Sequence, residues 1–85
     1  MKERLISDIR GIFENMGIKV IEGFDNLKGD EIRYRFIEKN KLQLNYQGCN
    51  YDLVDEVMRG IEFLNNRIED FKCTFAAEDI VWISF

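Results

Sequence analysis

The apolar residues of this chain change period as it advances, from helical to alternating, back to helical and back to alternating, and few folds accommodate that order. Leu5, Ile6, Ile9, Ile12, Phe13 and Met16 recur at helical spacing, which predicts an amphipathic helix from Lys2 to about Met16. Gly17 suits the left-handed residue that ends a helix, with Ile18 beyond it available for the accompanying apolar contact. Three alternating runs follow: Ile18–Gly23, Ile32–Ile37 and Leu42–Gln47. Asp25–Asp30 reads as a loop, and Glu38-Lys39-Asn40-Lys41 as a tight hairpin turn in which Asn40 takes positive φ. The expectation is a three-stranded antiparallel meander that turns Lys19, Arg33, Arg35, Gln43 and Asn45 away from the helices.

Leu53, Val54, Val57, Met58, Ile61, Leu64 and Ile68 then restore helical spacing. They predict a second helix over Tyr51–Arg67, with Asn50 or Asp52 as its cap and Asp52, Asp55 and Glu56 loading its first turns. Phe71, Cys73 and Phe75 alternate, Ala76-Ala77-Glu78-Asp79 breaks the run, and Ile80–Phe85 closes the chain. The last segment reads as a strand buried on both faces or covering the sheet. The predicted order is α-β-β-β-α-β-β. It describes an α+β domain in which an antiparallel sheet carries two helices on one face. A chain of 85 residues without proline or a low-complexity segment makes one domain over residues 1–85. Gly11, Gly17, Gly23 and Gly29 recur every six residues, but each falls in a different structural context, so no repeat is read from them.

Charge divides the chain. Residues 1–43 hold nine Lys or Arg against eight Asp or Glu, whereas residues 44–85 hold three against eight. A field of that sign attracts basic partners and repels nucleic acid and anionic membrane. The first residues are charged where a leader peptide needs an apolar run, and no window is apolar enough for a membrane span, so the expected location is the cytoplasm.

Histidine is absent, which removes Ser-His and Cys-His nucleophile pairs and imidazole metal sites. No glycine-rich phosphate cradle is present. Cys49 and Cys73 have neither metal nor redox spacing and read as reduced thiols. The expected protein is non-enzymatic and takes no metal or cofactor.

The candidate site is the outer side of the second helix. At about 100° per residue, Asp52, Glu56, Arg59, Phe63, Asn66 and Asp70 line one stripe opposite the core, with Asp55 and Glu62 flanking it. Phe63 projects from the middle of this acidic stripe, as interface anchors often do. The competing reading has the C-terminal hairpin fold over Phe63, or leaves it a lone exposed ring. Arg33 and Arg35 beside Tyr34 suggest a single-stranded nucleic-acid platform, but alternation points Tyr34 away from them, so direct nucleic-acid binding is not expected.

The helix starting Glu3-Arg4-Leu5-Ile6-Ser7-Asp8-Ile9, the strand Ile32-Arg33-Tyr34-Arg35 and the acidic helix Tyr51-Asp52-Leu53-Val54-Asp55-Glu56-Val57 give a layout similar to the α-β-β-β-α plan of small acidic phage anti-CRISPR proteins, inhibitors of an RNA-guided nuclease. That resemblance implies carboxylates placed where nucleic-acid phosphates would lie. The element order is also similar to type III secretion chaperones. The expected partner is a basic protein surface docked by Asp52, Asp55, Glu56, Arg59, Glu62, Phe63 and Asp70. The alternative is a homodimeric chaperone or assembly factor that pairs through Ile80–Phe85 as an apolar edge strand.

Overall fold

The computed structural model describes residues 1–23, 29–47 and 51–85. Its elements are α1 (Lys2–Glu14), β1 (Lys19–Glu22), β2 (Glu31–Glu38), β3 (Lys41–Asn45), α2 (Tyr51–Arg67), β4 (Lys72–Ala77) and β5 (Ile80–Ser84). The fold is α+β in the predicted order. The Asp25–Gly29 part of the loop, Asn50 as a helix cap and Cys49 fall largely or wholly outside the described residues.

α1 ends as its local sequence dictates. Gly17 has φ of 80°, which lets its N–H reach the Glu14 carbonyl and the Ile18 N–H reach the Phe13 carbonyl, both at 3.0 Å. This double closure satisfies carbonyls that the helix leaves open, and it turns buried Ile18 into the core beside buried Phe13.

The sheet departs from the predicted meander in two ways. β1 pairs with β2 in parallel, from Lys19 opposite Glu31 to Glu22 opposite Tyr34. Alternation is the same for either direction, because Val20 meets Ile32 on the core face in both. β1 has only four residues, so the intervening stretch need travel only about 13 Å back to the starting end. A connection this short therefore serves where a longer crossover is usual. Gly23, at φ of 99°, leads the chain out of β1 after donating its N–H to the Tyr34 carbonyl.

The second departure concerns the C-terminal strand. The sheet order is β1-β2-β3-β5-β4, so β5 is interior and the edges are β1 and β4. β5 pairs antiparallel with β3 on one side and β4 on the other, and the Phe85 N–H extends the β3 pairing to the Asn40 carbonyl. Ile80–Phe85 therefore offers no free edge, so the edge strand expected there is an interior one. Nor does β5 cover the sheet: Val81 and Ile83 are buried on the helix side while Ile80, Trp82 and Ser84 are half-buried on the other. Asn40 does not take positive φ, since no non-glycine among the described residues does. A register shift between Phe36 and Glu38 supplies the twist that a positive-φ turn would have provided.

Both helices pack on one face. Leu5, Ile9 and Phe13 from α1, and Val57, Ile61 and Leu64 from α2, close over Val20, Ile32, Tyr34, Leu42, Leu44, Val81 and Ile83 in one core. The opposite face carries Lys19, Arg33, Arg35, Gln43 and Asn45 where alternation put them, Lys19 and Arg35 exposed and the other three partly buried. β5 and β4 add Trp82 and Thr74, opposite Gln43 and Trp82 respectively. No helix is long and apolar enough to cross a membrane among the described residues.

Candidate functional site

The outer side of α2 faces solvent because its inner side is spent on the core. Asp52, Asp55, Arg59, Glu62, Phe63 and Asn66 are all exposed. Phe63 is 50% exposed, so the hairpin does not cover it. It stands in a shallow depression of about 330 Å³ with Arg59, Glu62, Asn66 and Arg67 around it.

Two of the predicted residues do not join this surface in the expected way. α2 stops at Arg67, so the helical stripe cannot be extended to Asp70. Asp70 lies in the following turn and forms an ion pair with Arg4 of α1, whose guanidinium carbon stands 5.4 Å from the centre of the Phe71 ring. Its charge meets α1 from the turn that follows α2. Glu56 is half-buried, and its Oε2 is buried with no hydrogen-bond partner among the described residues. It is a border group, not an exposed one.

The fold also adds a residue that helical spacing could not find. The turn between β4 and β5 carries Glu78 to the first turn of α2, where Asp52, Val54, Asp55 and Glu78 border a second hollow of about 470 Å³. Tyr46 holds that turn: its hydroxyl donates to the Glu78 carbonyl at 2.7 Å and its N–H donates to the Asp79 carbonyl at 3.0 Å. The only forewarning in the sequence is the polar break at Ala76–Asp79.

The ion pairs of the described residues leave this surface, like Glu22, Glu69 and Asp79, without a cation. Asp8, Glu14, Asp30, Glu31, Glu38 and Asp70 each face a cation of the same chain. Among the described residues, Asp52, Asp55, Glu62 and Glu78 face none within ion-pair distance. Nor does any group of three or more Cys, Asp or Glu side chains there converge enough to hold a metal ion. The carboxylates are spread along a surface, an arrangement suited to several separate cationic side chains.

The rival arginine face is less basic than its sequence. Arg33 pairs with buried Glu31 at 2.9 Å and is itself largely buried. Tyr34 turns into the core as alternation requires, at 5% exposure. An aromatic still reaches this face, since Trp82 arrives from β5, donating to Gln43 at 3.2 Å with the Lys41 ammonium 4.9 Å over its ring.

Two titrating groups beside the site favour their protonated forms. Burial, then the charges of Asp79 and Glu78, push the Tyr46 hydroxyl above its usual value. Burial pushes the Cys73 thiol from 9.0 to about 11. Both protons are held more tightly in the folded chain than in the unfolded one. Both contributions to stability are therefore complete at neutral pH; that of Cys73 is lost as pH rises from 9.0 through about 11, and that of Tyr46 is lost only above 10.0. Urea midpoints should fall over that range, and Cys73→Ala should flatten the fall. A midpoint that drops equally in the variant would assign the effect elsewhere.

No protein-family model, no curated protein and no solved structure matches the chain.

Proposed function

We propose that the protein is a non-enzymatic binding protein whose α2 face docks a basic surface of another protein. The observation that carries this reading is the set of carboxylates without an ion-pair partner among the described residues: Asp52, Asp55 and Glu78 at the first turns of α2, and Glu62 further along it beside half-exposed Phe63. An aromatic anchor within a charged rim divides the work of binding. The ring fills a pocket and slows dissociation, while the carboxylates steer encounter. In its sharpest form the partner is a nucleic-acid-binding protein and the carboxylates occupy its phosphate-binding cations, as the resemblance to anti-CRISPR proteins implies.

Capture from the native host at two salt concentrations supplies the partner, because salt screens such a surface and should release what it holds. Binding kinetics on the purified pair then test the reading. Asp52→Lys with Asp55→Lys and Glu62→Lys should slow association roughly tenfold or more and remove most of its salt dependence. Glu56 is left unchanged because a lysine at a half-buried position would disturb packing as well as charge. Phe63→Ala should speed dissociation roughly thirtyfold, equivalent to about 2 kcal/mol. If both variants keep the wild-type rates, the α2 face is only a solvated surface and the sheet face around Arg35 and Trp82 becomes the place to look.

A further inference from the structure

The side of the sheet that faces away from the helices gathers cations around the chain's one tryptophan. Strand registers fix the arrangement. Arg35, Gln43, Trp82 and Thr74 form one cross-strand row, and Lys41, Ser84 and Lys72 form the next. Arg35, Thr74 and Lys72 are exposed, whereas Gln43, Trp82, Lys41 and Ser84 are partly buried. The indole Nε1–H donates to Gln43 at 3.2 Å, which anchors the ring, and the Lys41 ammonium stands 4.9 Å over its face. What covers that face is a flexible side chain, which a ligand can displace. Among the strand residues of this side the carboxylates are Glu31 and Glu38. Glu31 is buried and bound to Arg33, and Glu38 stands 3.9 Å from Lys41. Lys72 faces no carboxylate within ion-pair distance among the described residues.

We propose that this side of the sheet binds single-stranded nucleic acid. A base stacks on Trp82 in place of the Lys41 side chain, and the displaced ammonium joins Lys72 and Arg35 on the flanking phosphates. Gln43 and Thr74, in the row of the ring itself, offer an amide and a hydroxyl to base edges. Surfaces that combine an aromatic with cations hold single strands whatever their sequence, because every base has a π-face. Tyr34 cannot serve here, since it turns into the core; Trp82 supplies the aromatic from β5 instead. The net charge of −4 does not forbid the contact. α2 packs on the other side of the sheet and turns Asp52, Asp55 and Glu62 outward, in a domain whose Cα atoms span 29 × 24 × 22 Å. At physiological salt the Debye length is about 8 Å, so those carboxylates are largely screened from a strand on the far side. This proposal goes beyond the docking reading and is independent of it.

The single tryptophan reports the contact. Titrating the isolated protein with an oligothymidylate of about twelve nucleotides should quench its fluorescence. Affinity should fall with salt at a logarithmic slope of about −2, near −0.7 for each of the three cations, and Lys72→Gln should make the slope shallower by about 0.7. Trp82→Leu, followed by the anisotropy of a labelled oligonucleotide, should weaken binding roughly tenfold, whereas Trp82→Phe, which keeps a stacking face, should stay within about threefold of wild type. That recovery separates stacking from loss of fold. Polyglutamate of matched charge should not compete. No quenching at high micromolar strand, an unchanged slope in Lys72→Gln, an unchanged affinity in Trp82→Leu, or equal competition by polyglutamate would each overturn the proposal, the last by showing a general anion patch.

Discussion

Replacing Ile61 by alanine is expected to remove about 2 to 5 kcal/mol of folding stability. Ile61 is 2% exposed and belongs to the α2 side of the core, with Val57 and Leu64 beside it in sequence spacing and Val81 and Ile83 among the sheet residues of the same cluster. Truncation forfeits the transfer of its outer carbons from water and leaves a cavity between helix and sheet that a close-packed interior fills only in part. The main chain at this position stays engaged, since the Ile61 carbonyl accepts a weak contact from the Cys73 thiol at 3.9 Å. The loss is thus one of packing. A domain of this length holds roughly 4 to 13 kcal/mol in total, so the thermal midpoint should fall by about 10 °C or more. A circular dichroism melt checks this, and an unchanged midpoint would mean that α2 turns a different side to the sheet.

Gly60→Val is expected to cost about 3 kcal/mol, although valine is a better helix former than glycine. A Cβ at Gly60 would stand 2.4 Å from Cε1 and 2.6 Å from Cζ of Phe13, and 3.1 Å from Cγ2 of Ile12. Phe13 is fully buried, so its ring cannot move aside without displacing the residues around it. The helices approach closely because this position has no side chain. Gly60→Ala should also destabilise, since the helical gain of about 1 kcal/mol is smaller than the overpacking. Gly11→Ala makes the converse control: a Cβ there meets nothing within 4 Å, and it should stabilise by about 0.5 to 1 kcal/mol. Urea denaturation of the three variants reads both signs in one experiment. A stable Gly60→Val would show that α1 and α2 do not pack as closely as described.

Gly60 also shows where periodicity stops being informative. Its place on α2, between buried and exposed positions, follows from the spacing of Val57, Ile61 and Leu64. Its role depends on which residue of α1 arrives opposite it, and no local pattern encodes that. The outer face of α2 divides in the same way. Asp52, Asp55, Arg59, Glu62 and Phe63 were legible because a helix of known period assigns each residue a side. Asp70 was misassigned because the period was carried past the end of the helix at Arg67. Glu78 was missed because it reaches the face through a turn closed by Tyr46, thirty-two positions away along the chain.

What the sequence by itself determined is therefore what residues within a few positions of one another decide. The seven elements and their order follow from the period of the apolar residues, and the end of α1 follows from a glycine able to take positive φ. Tertiary structure decided the partners. Alternation turns Val20, Ile32, Leu44 and Val81 toward the core whichever way their strands run and whichever strands lie adjacent. Only the packed chain distinguishes a parallel β1 from an antiparallel one, or an interior β5 from an edge. That choice moved the open edge from Ile80–Ser84 to Lys72–Ala77 and brought Trp82 to the face of Arg33 and Arg35. Side-chain alternation repeats every two residues, but strand neighbours are selected by contacts between segments far apart in the chain, and alternation alone carries no information about them.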